Sequence, residues 1–395
     1  MPAEIKRNLK VYRQAFTKPQ FKQFQKLILG LIVSDNKTLQ EINDCFGDTN
    51  QSSFNRFVTE SPWDKEEINQ IMIKQMKPYL EKDEGILIVD PTMLHKTGKH
   101  MEYAGYHYSG ITKEKEWGHL LVDSLFASGN VAFPLRGDIY IRKKDCDKEH
   151  SFKTSRTICR EQIEFAIENG LPLKIVMADA GLYAHSLIQE IKSYGKKYLM
   201  GIRTSNKFSL NNREKRINAN SYLNRLTDLN FGRYIIGEDV YHLHVKDIYT
   251  RKVGKEKLLI SYKDGDEENI KLYTTNLLDY TDEKLMHLLL KRWDIEGLHR
   301  DSKQHLGLED YQLRKYRGIQ KVVLAVFVAY TILVLSAAQK ILRPIGRILQ
   351  TIGEGCRFFR LIATKSYKWL RRRARNKDKF KKILKRFVFV KNAKV

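Results

Sequence analysis

The sequence predicts an α/β (α+β) fold built on a mixed sheet with flanking helices. Two short apolar runs that are rich in branched side chains, 85–89 and 173–178, have the length and composition of buried strands. Strand-like and helix-like stretches alternate around them up to about residue 202. With 395 residues and 42% hydrophobic content, the chain can form two or three domains with a sizeable core. We therefore expect an ordered globular protein.

Residues 1–80 are helical in pattern and are predicted to form an N-terminal DNA-binding region. Residues 38–47 have the signals of a complete helix, with Thr38 as N-cap, Glu41 closing a capping box and Gly47 as C-cap. A short polar turn leads to a second helix at 52–59. Helix, turn and helix in this order are the outline of a helix-turn-helix motif.

Residues 81–202 contain the predicted catalytic sheet. The strand from Gly85 is expected to end at Asp90, and the later strand from Leu173 to end at Asp179. The other expected strands are Tyr103–Ser109, His119–Ala127, Val131–Ile141 and Lys197–Ile202, with helices at Phe152–Asn169 and Tyr183–Tyr194. Three antiparallel strands, a helix and a further strand form the order of a ribonuclease-H-like sheet.

The second half of the chain is predicted to contain a β-rich insertion, the rest of the catalytic domain and a basic tail. Residues 203–276 form the insertion, and 277–342 return to the catalytic domain through one long helix from Thr281 to Gln304. An apolar stretch at 322–338 is at the short limit for a membrane span, but it equally fits a helix buried in a large core. We expect the buried helix and no membrane contact. Residues 343–395 form the tail.

The charge of the chain predicts a polyanionic partner. Lys and Arg number 71 against 46 Asp and Glu, which gives a net charge of +25. Residues 339–395 contain 19 basic and 2 acidic residues, so this segment alone contributes +17. Nucleic acid is the first expectation and an anionic membrane surface the second. The basic clusters 371–375 and 379–382 either follow DNA phosphates or form a disordered end.

Three acids are the candidate catalytic residues and metal ligands. Asp90 and Asp179 end the two apolar strands, where open α/β sheets place their ligands, and Glu296 lies in a polar helical segment. Carboxylates are hard oxygen ligands that suit Mg²⁺ or Mn²⁺. Two such ions activate an attacking water or 3′-hydroxyl and stabilise the leaving oxygen of a phosphodiester. Each acid alone also fits a loop, cap or salt-bridge role, and only their combination favours chemistry.

The helix around Glu296 is expected to present a DNA-binding face. At helical spacing one broad face carries Glu296 among several basic side chains and a tryptophan, while Asp294 points away. A single acid among bases suits a metal-bound phosphodiester, and an indole can stack on a nucleotide base. The predicted DNA-binding residues are Arg292, Trp293, His299, Arg300 and Lys303.

Histidines and cysteines are not expected to bind metal. Cys45, Cys146, Cys159 and Cys356 have no CxxC pairing, which makes zinc improbable and fits a reducing compartment. His95, His100 and His107 lack a fixed ligand spacing and are expected at the surface or facing DNA.

These motifs resemble a known family, the DDE transposases of prokaryotic insertion sequences. One large group of that family carries Tyr-x2-Arg-x3-Glu-x6-Lys, and Arg292, Glu296 and Lys303 reproduce its spacing, although Leu289 replaces the tyrosine. The segments around both aspartates and residues 52–64 are also similar, so the resemblance spans about residues 20–340. The Arg–Glu–Lys spacing alone is moderately specific, and both aspartate turns strengthen it.

The resemblance implies a ribonuclease-H-like domain with a β-rich insertion between the second aspartate and the glutamate. It implies Mg²⁺-dependent cleavage of double-stranded DNA at terminal inverted repeats and strand transfer into target DNA, with Arg292 and Lys303 on phosphates. Two Mg²⁺ or Mn²⁺ ions per site, a homodimer or higher oligomer on paired ends, and a cytoplasmic, nucleoid-associated location follow as expectations. The alternatives are a transposase-derived DNA-binding protein that no longer cuts and another two-metal endonuclease on this fold.

Overall fold

The computed structural model describes residues 3–46, 50–110, 112–212, 215–338 and 351–373. Within these ranges the helices are α1 Ala3–Lys10, α2 Lys18–Val33, α3 Leu39–Phe46, α4 Gln51–Thr59, α5 Lys65–Met76, α6 Ser155–Glu168, α7 His185–Ser193, α8 Ala219–Leu223, α9 Asp282–Lys291, α10 Asp294–Leu306, α11 Tyr316–Ala338 and α12 Ile352–Arg373. The strands are β1 Gly85–His95, β2 Gly105–Tyr108, β3 Lys115–Ser128, β4 Val131–Tyr140, β5 Leu173–Ala178, β6 Lys197–Gly201, β7 Lys207–Phe208, β8 Ile217–Asn218, β9 Gly232–Ile236, β10 Asp239–Thr250, β11 Gly254–Lys263 and β12 Lys271–Thr275.

The central sheet has the predicted ribonuclease-H-like order. Strand β3 pairs antiparallel with both β1 and β4, and β5 and β6 continue the sheet on the other side of β1 in parallel orientation. Helices α6 and α7 follow β4 and β5 in the chain, as expected for crossovers to parallel strands. The predicted mixed α/β fold is confirmed.

The β-rich insertion extends this sheet. Its last strand, β12, pairs antiparallel with β6, and β11, β10 and β9 follow in order to the edge. A second, smaller core forms beside these strands around Phe208, Tyr222, Ile248 and Ile260. The insertion therefore places β12 beside β6, which pairs on its other side with β5, the strand that leads to Asp179.

The N-terminal helices share one hydrophobic core with α11. Their predicted capping signals are formed in part. Thr38 Oγ1 accepts a hydrogen bond from the Glu41 N–H at 3.3 Å, as expected of an N-cap. The capping box is incomplete, because the Thr38 N–H donates to Asn36 rather than to Glu41. Asn50 caps α4 through a 2.8 Å bond to the Ser52 N–H. The predicted C-cap Gly47 lies outside the described residues.

Helix α11 is the predicted apolar helix, and it is buried. Within the described residues it is the single helix long and apolar enough to cross a membrane, and 83% of its most apolar window is buried inside the fold. It packs against β4 on one side and against α2, α4 and α5 on the other. These contacts favour the core-helix interpretation over the membrane one.

The predicted single helix from Thr281 to Gln304 is wrong, because it is divided into α9 and α10. Thr281 caps α9 as predicted, its side chain accepting from the Lys284 N–H. At the junction, the N–H groups of Arg292 and Trp293 bond to carbonyls three residues back, which tightens the last turn and ends the helix. Helix α10 begins at Asp294, so Glu296 lies in its first turn.

The region predicted as a basic tail begins with an ordered helix. Helix α12 packs against α2, α10 and α11, and its Ile352, Cys356 and Phe359 are buried in the main core. Arg360 donates to the carbonyls of Val33 and Ser34 at the end of α2. The side chains of the basic clusters 371–375 and 379–382 lie outside the described part of the chain.

Candidate active site

Asp90 and Asp179 occupy neighbouring positions because of the register between β1 and β5. The last paired residues of these parallel strands are Val89 and Ala178; Asp90 is the next residue of β1, and Asp179 is the first residue after β5. The prediction that the strand ends at Asp90 is wrong. Strand β1 continues to His95, because β3 keeps pairing with it on the other side after β5 has ended.

A glycine on β6 allows the Asp179 turn to lie close to the sheet. A Cβ atom at Gly201 would come within 2.7 Å of the Ala180 nitrogen and 3.2 Å of the Asp179 carbonyl carbon. Any side chain there would therefore push the turn that carries Asp179. No sequence pattern indicates this role, because the contact depends on how β5 and β6 pair.

Asp90 lies in an electrostatic environment that disfavours an isolated negative charge. Its side chain is 21% exposed, and burial, together with Asp179 and Asp123 nearby, raises its pKa to about 7. His299 and Arg292 act in the opposite direction and lower this pKa. A carboxylate that is crowded by other carboxylates gains stability when a cation binds between them.

Glu296 faces the same region from the first turn of α10. Its Oε1 accepts a 2.8 Å hydrogen bond from Nη2 of Arg292, which is only 7% exposed. The Glu296 side chain itself remains 43% exposed. The positive end of the helix dipole also stabilises a carboxylate at this position.

Tyr273 on β12 joins the three acids, and sequence reasoning did not identify it. Its phenol lies beside Arg292 and in the field of both Asp179 and Glu296. Burial and these two carboxylates raise the pKa of the Tyr273 phenol, while Arg292 lowers it. No sequence pattern marked Tyr273, because it reaches the site only through the pairing of β12 with β6.

The donor set fits a hard divalent cation. Among the residues that the structure describes, no three His, Cys, Asp or Glu side chains are close enough to hold one ion together. However, Asp90 and Asp179 lie side by side, the pKa of Asp90 is raised, and Glu296 is available from α10. Oxygen donors of this kind suit Mg²⁺ and Mn²⁺ rather than zinc. The four cysteines are free and lie apart from these acids.

Two of the predicted DNA-binding residues are accessible beside Glu296. Trp293 is 45% exposed, with the Arg292 guanidinium 5.0 Å from its ring centroid, and the Arg300 side chain is 63% exposed. Both line an open groove of about 740 Å³, which we call the Glu296 groove. Its lining also includes Lys291, Glu296, Asn130 and Tyr330. An aromatic ring and cations around an acid form a surface suited to a nucleic-acid strand.

The other three predicted DNA-binding residues face the protein. Arg292 is held by Glu296, and Lys303 donates to the Met93 carbonyl at 2.6 Å and lies 3.1 Å from Glu309. His299 is 8% exposed, with Nε2 2.8 Å from Oδ1 of Asp123. The single exposed face predicted for this segment is therefore divided. After the helix break before Asp294, Arg292 contacts Glu296. The ring of His299 is buried against Asp123 on β3.

The histidines near the first strand differ from one another. His107 is buried rather than at the surface, and burial, with Arg142 close by, lowers its pKa to about 4. The prediction of a surface position is therefore wrong for His107, because its side chain lies on the inner face of β2. His95 is exposed and lies 2.9 Å from Glu116.

Comparisons with known proteins match most of the chain to two family models and one relative. The family model described as DDE superfamily endonuclease matches residues 11–217, just over half of the chain. A second family model, described as "Archaeal putative transposase ISC1217", matches residues 237–348. The probable transposase for insertion sequence element IS701 from Microchaete diplosiphon is 26% identical over 314 residues, which cover 77% of this chain and 80% of that protein.

Proposed function

Because the chain belongs to the DDE superfamily, as a transposase-type endonuclease, we propose that it cuts the terminal inverted repeats of an insertion sequence and joins the cut ends to target DNA. The superfamily depends on divalent metal ions. We propose two Mg²⁺ or Mn²⁺ ions per site, held by Asp90, Asp179 and Glu296. When bound, such ions activate the attacking oxygen and stabilise the leaving oxygen of an in-line displacement.

The protein side chains have separate proposed tasks around these ligands. Asp90 and Asp179 provide two adjacent carboxylates on the rigid sheet, and Glu296 provides the third from the start of α10. Arg292 keeps a positive charge beside Glu296 and Tyr273, where a DNA phosphate would need compensation.

DNA is the proposed substrate, and the Glu296 groove is its proposed path. Trp293 would stack on a base, and Arg300 and Lys291 would contact phosphates along the groove. Lys303 would reach a phosphate only by leaving the Met93 carbonyl and Glu309. We no longer propose a DNA contact for His299, because its ring is buried against Asp123.

The proposed assembly is a homodimer or higher oligomer that holds two transposon ends together in the cytoplasm, on the nucleoid. The basic residues of the chain supply the long-range attraction to DNA. Helices α3 and α4 remain the proposed DNA-binding motif of the N-terminal region. The polar side chains of Gln51, Ser52, Asn55 and Arg56 on α4 are exposed.

The observation that best supports this proposal is the register of β1 and β5, in which Asp90 and Asp179 directly follow the last paired residues, Val89 and Ala178. The test is cleavage of a duplex containing the element's own end by the purified chain with Mg²⁺. Glu296→Gln is expected to abolish cutting, because the amide is a poor metal ligand and lacks the negative charge. Glu283→Gln is the matched control, since Glu283 is an exposed glutamate on the neighbouring helix α9 and is not part of the lining of the Glu296 groove.

A Glu296→Gln chain that cuts at the wild-type rate would show that the site is assigned incorrectly. A wild-type chain that binds the end without cutting it would favour the silent DNA-binding alternative. Cutting that ignores the terminal repeat and depends on DNA structure would favour a different two-metal endonuclease.

A further inference from the structure

A second buried aspartate lies directly opposite Asp90 on the central sheet. In the antiparallel pair of β1 and β3, Asp90 and Asp123 are partners in the register. Directly opposed side chains in such a pair extend from the same face of the sheet. Asp123 is completely buried, and its Oδ2 has no hydrogen-bond partner among the described residues. A buried carboxylate at this position needs a compensating group.

His299 is the group that compensates Asp123. Its Nε2 lies 2.8 Å from Oδ1 of Asp123, and its Nδ1 lies 3.9 Å from Oδ2 of Asp90. The imidazole ring therefore lies between the two carboxylates, bonded to Asp123 and in ion-pair range of Asp90. No other described side chain forms a hydrogen bond or ion pair with Asp123.

This contact also joins the helix that carries Glu296 to the sheet. His299 follows Glu296 by three residues in α10, so both side chains extend from neighbouring turns of one side of the helix. The bond between His299 and Asp123 attaches that side to β3, one strand away from Asp90. A shift of this bond would move Glu296 relative to Asp90.

We propose that Asp123 and His299 are a positioning pair that sets the distance between Asp90 on the sheet and Glu296 on α10 for binding of divalent metal. The inference rests on the proposed function, because it assumes that these two acids share metal ions. Neither Asp123 nor His299 is proposed to touch the metal or DNA. Their effect passes through the carboxylate of Asp90 and the placement of α10.

Stability alone does not explain a buried aspartate and histidine here. Apolar residues of similar volume in place of a buried charged pair are often neutral or stabilising. Residues that orient metal ligands, by contrast, typically change metal affinity 10- to 100-fold when they are replaced. The two explanations therefore predict opposite results when both members of the pair become apolar.

The experiment titrates the purified full-length chain with Mn²⁺ alone and measures the Kd by calorimetry, with thermal unfolding of the same samples. In the double variant Asp123→Leu with His299→Leu, the unfolding temperature should be retained or raised, and the Kd for Mn²⁺ should rise about 10- to 100-fold. Ser302→Ala is the matched control. Ser302 is buried on the next turn of α10, and its hydroxyl has no hydrogen-bond partner among the described residues.

His299→Gln tests the pair more finely. The amide nitrogen of glutamine can occupy nearly the same place as Nε2 and donate to Asp123, so this variant should retain a Kd within about threefold of wild type. His299→Leu alone should lose affinity as much as the double variant does. Equal losses in the single and double variants are expected of residues that act as a unit.

A double variant that unfolds like wild type and binds Mn²⁺ with the wild-type Kd would overturn the positioning role. Such a result leaves the proposed function intact if wild-type protein still cuts transposon ends. Conversely, pair-dependent Mn²⁺ binding in a chain that cuts no end would support the positioning role and reject the proposed transposition activity. A wild-type chain that binds no Mn²⁺ would overturn the positioning role and the proposed metal site together.

Discussion

Gly201 provides a test of the site geometry that touches no proposed ligand. In Gly201→Ala the new Cβ would lie 2.7 Å from the Ala180 nitrogen, whereas ordinary van der Waals contact begins at 3.4 Å. The Asp179 turn must therefore move by the difference, about 0.7 Å. Overpacking of this kind typically costs about 1–3 kcal/mol of unfolding free energy. Displacement of a catalytic group by nearly 1 Å can reduce the rate by about 100-fold.

The assay compares urea unfolding, Mn²⁺ affinity and end cleavage for Gly201→Ala and Gly181→Ala. Gly181 is the matched control, because it lies in the same turn and a Cβ there would meet nothing within 4 Å. We expect Gly201→Ala to lose about tenfold to 100-fold in cleavage, with a smaller loss of stability, and Gly181→Ala to behave like wild type. Wild-type cleavage and Mn²⁺ affinity in Gly201→Ala would refute the close approach of β6 to the Asp179 turn.

Two further predictions concern stability. Burial lowers the pKa of His119 to about 4, below its value of about 6.5 in the unfolded chain. As the pH falls, the unfolded chain therefore binds a proton that the folded chain does not. The free energy of unfolding should decrease by about 2 kcal/mol between pH 7 and pH 5. Urea titrations should show a smaller pH dependence in His119→Gln and an unchanged one in the exposed control His287→Gln. Phe359→Ala should lower the free energy of unfolding by about 3–5 kcal/mol, because Phe359 is 3% exposed in the main core. Leu361→Ala, at a 46% exposed position of the same helix, should change the free energy of unfolding little. Equal unfolding midpoints for these two variants would mean that α12 is not part of the folded core.

The local elements were predictable where short-range patterns decide them. The apolar runs 85–89 and 173–178 lie in β1 and β5, because strands that are buried on both faces of a sheet favour branched apolar side chains. Thr281 caps α9 because its side chain satisfies an N–H that the helix leaves free. Burial of α11 was predicted, but an isolated apolar helix and a membrane span look alike in sequence, and the contacts of α11 with the rest of the fold support the buried helix.

The helix break before Asp294 was missed because propensity contains no signal for it. Residues 281–304 contain no proline, and their one glycine, Gly297, lies inside α10 rather than at the break, so the turn at Arg292 and Trp293 depends on its surroundings. Arg292 is buried beside Glu296 and Tyr273, while Trp293 remains exposed. The single helix predicted from the sequence therefore implied one DNA-facing surface. In the folded chain, Trp293 and Arg300 line the exposed Glu296 groove, whereas the side chains of Arg292, His299 and Lys303 contact other protein groups.

The three candidate acids, the order of the strands in the central sheet and the basic character of the chain could be predicted from the sequence. These are properties of residue type and local spacing, which a single chain displays directly. Tertiary structure alone decided that Asp90 faces Asp123, that His299 bonds to Asp123 and that Tyr273 reaches Arg292. The physical reason is register. Pairing between β1 and β3, and between β6 and β12, joins residues far apart in sequence, and no short-range pattern encodes which residue will lie opposite which.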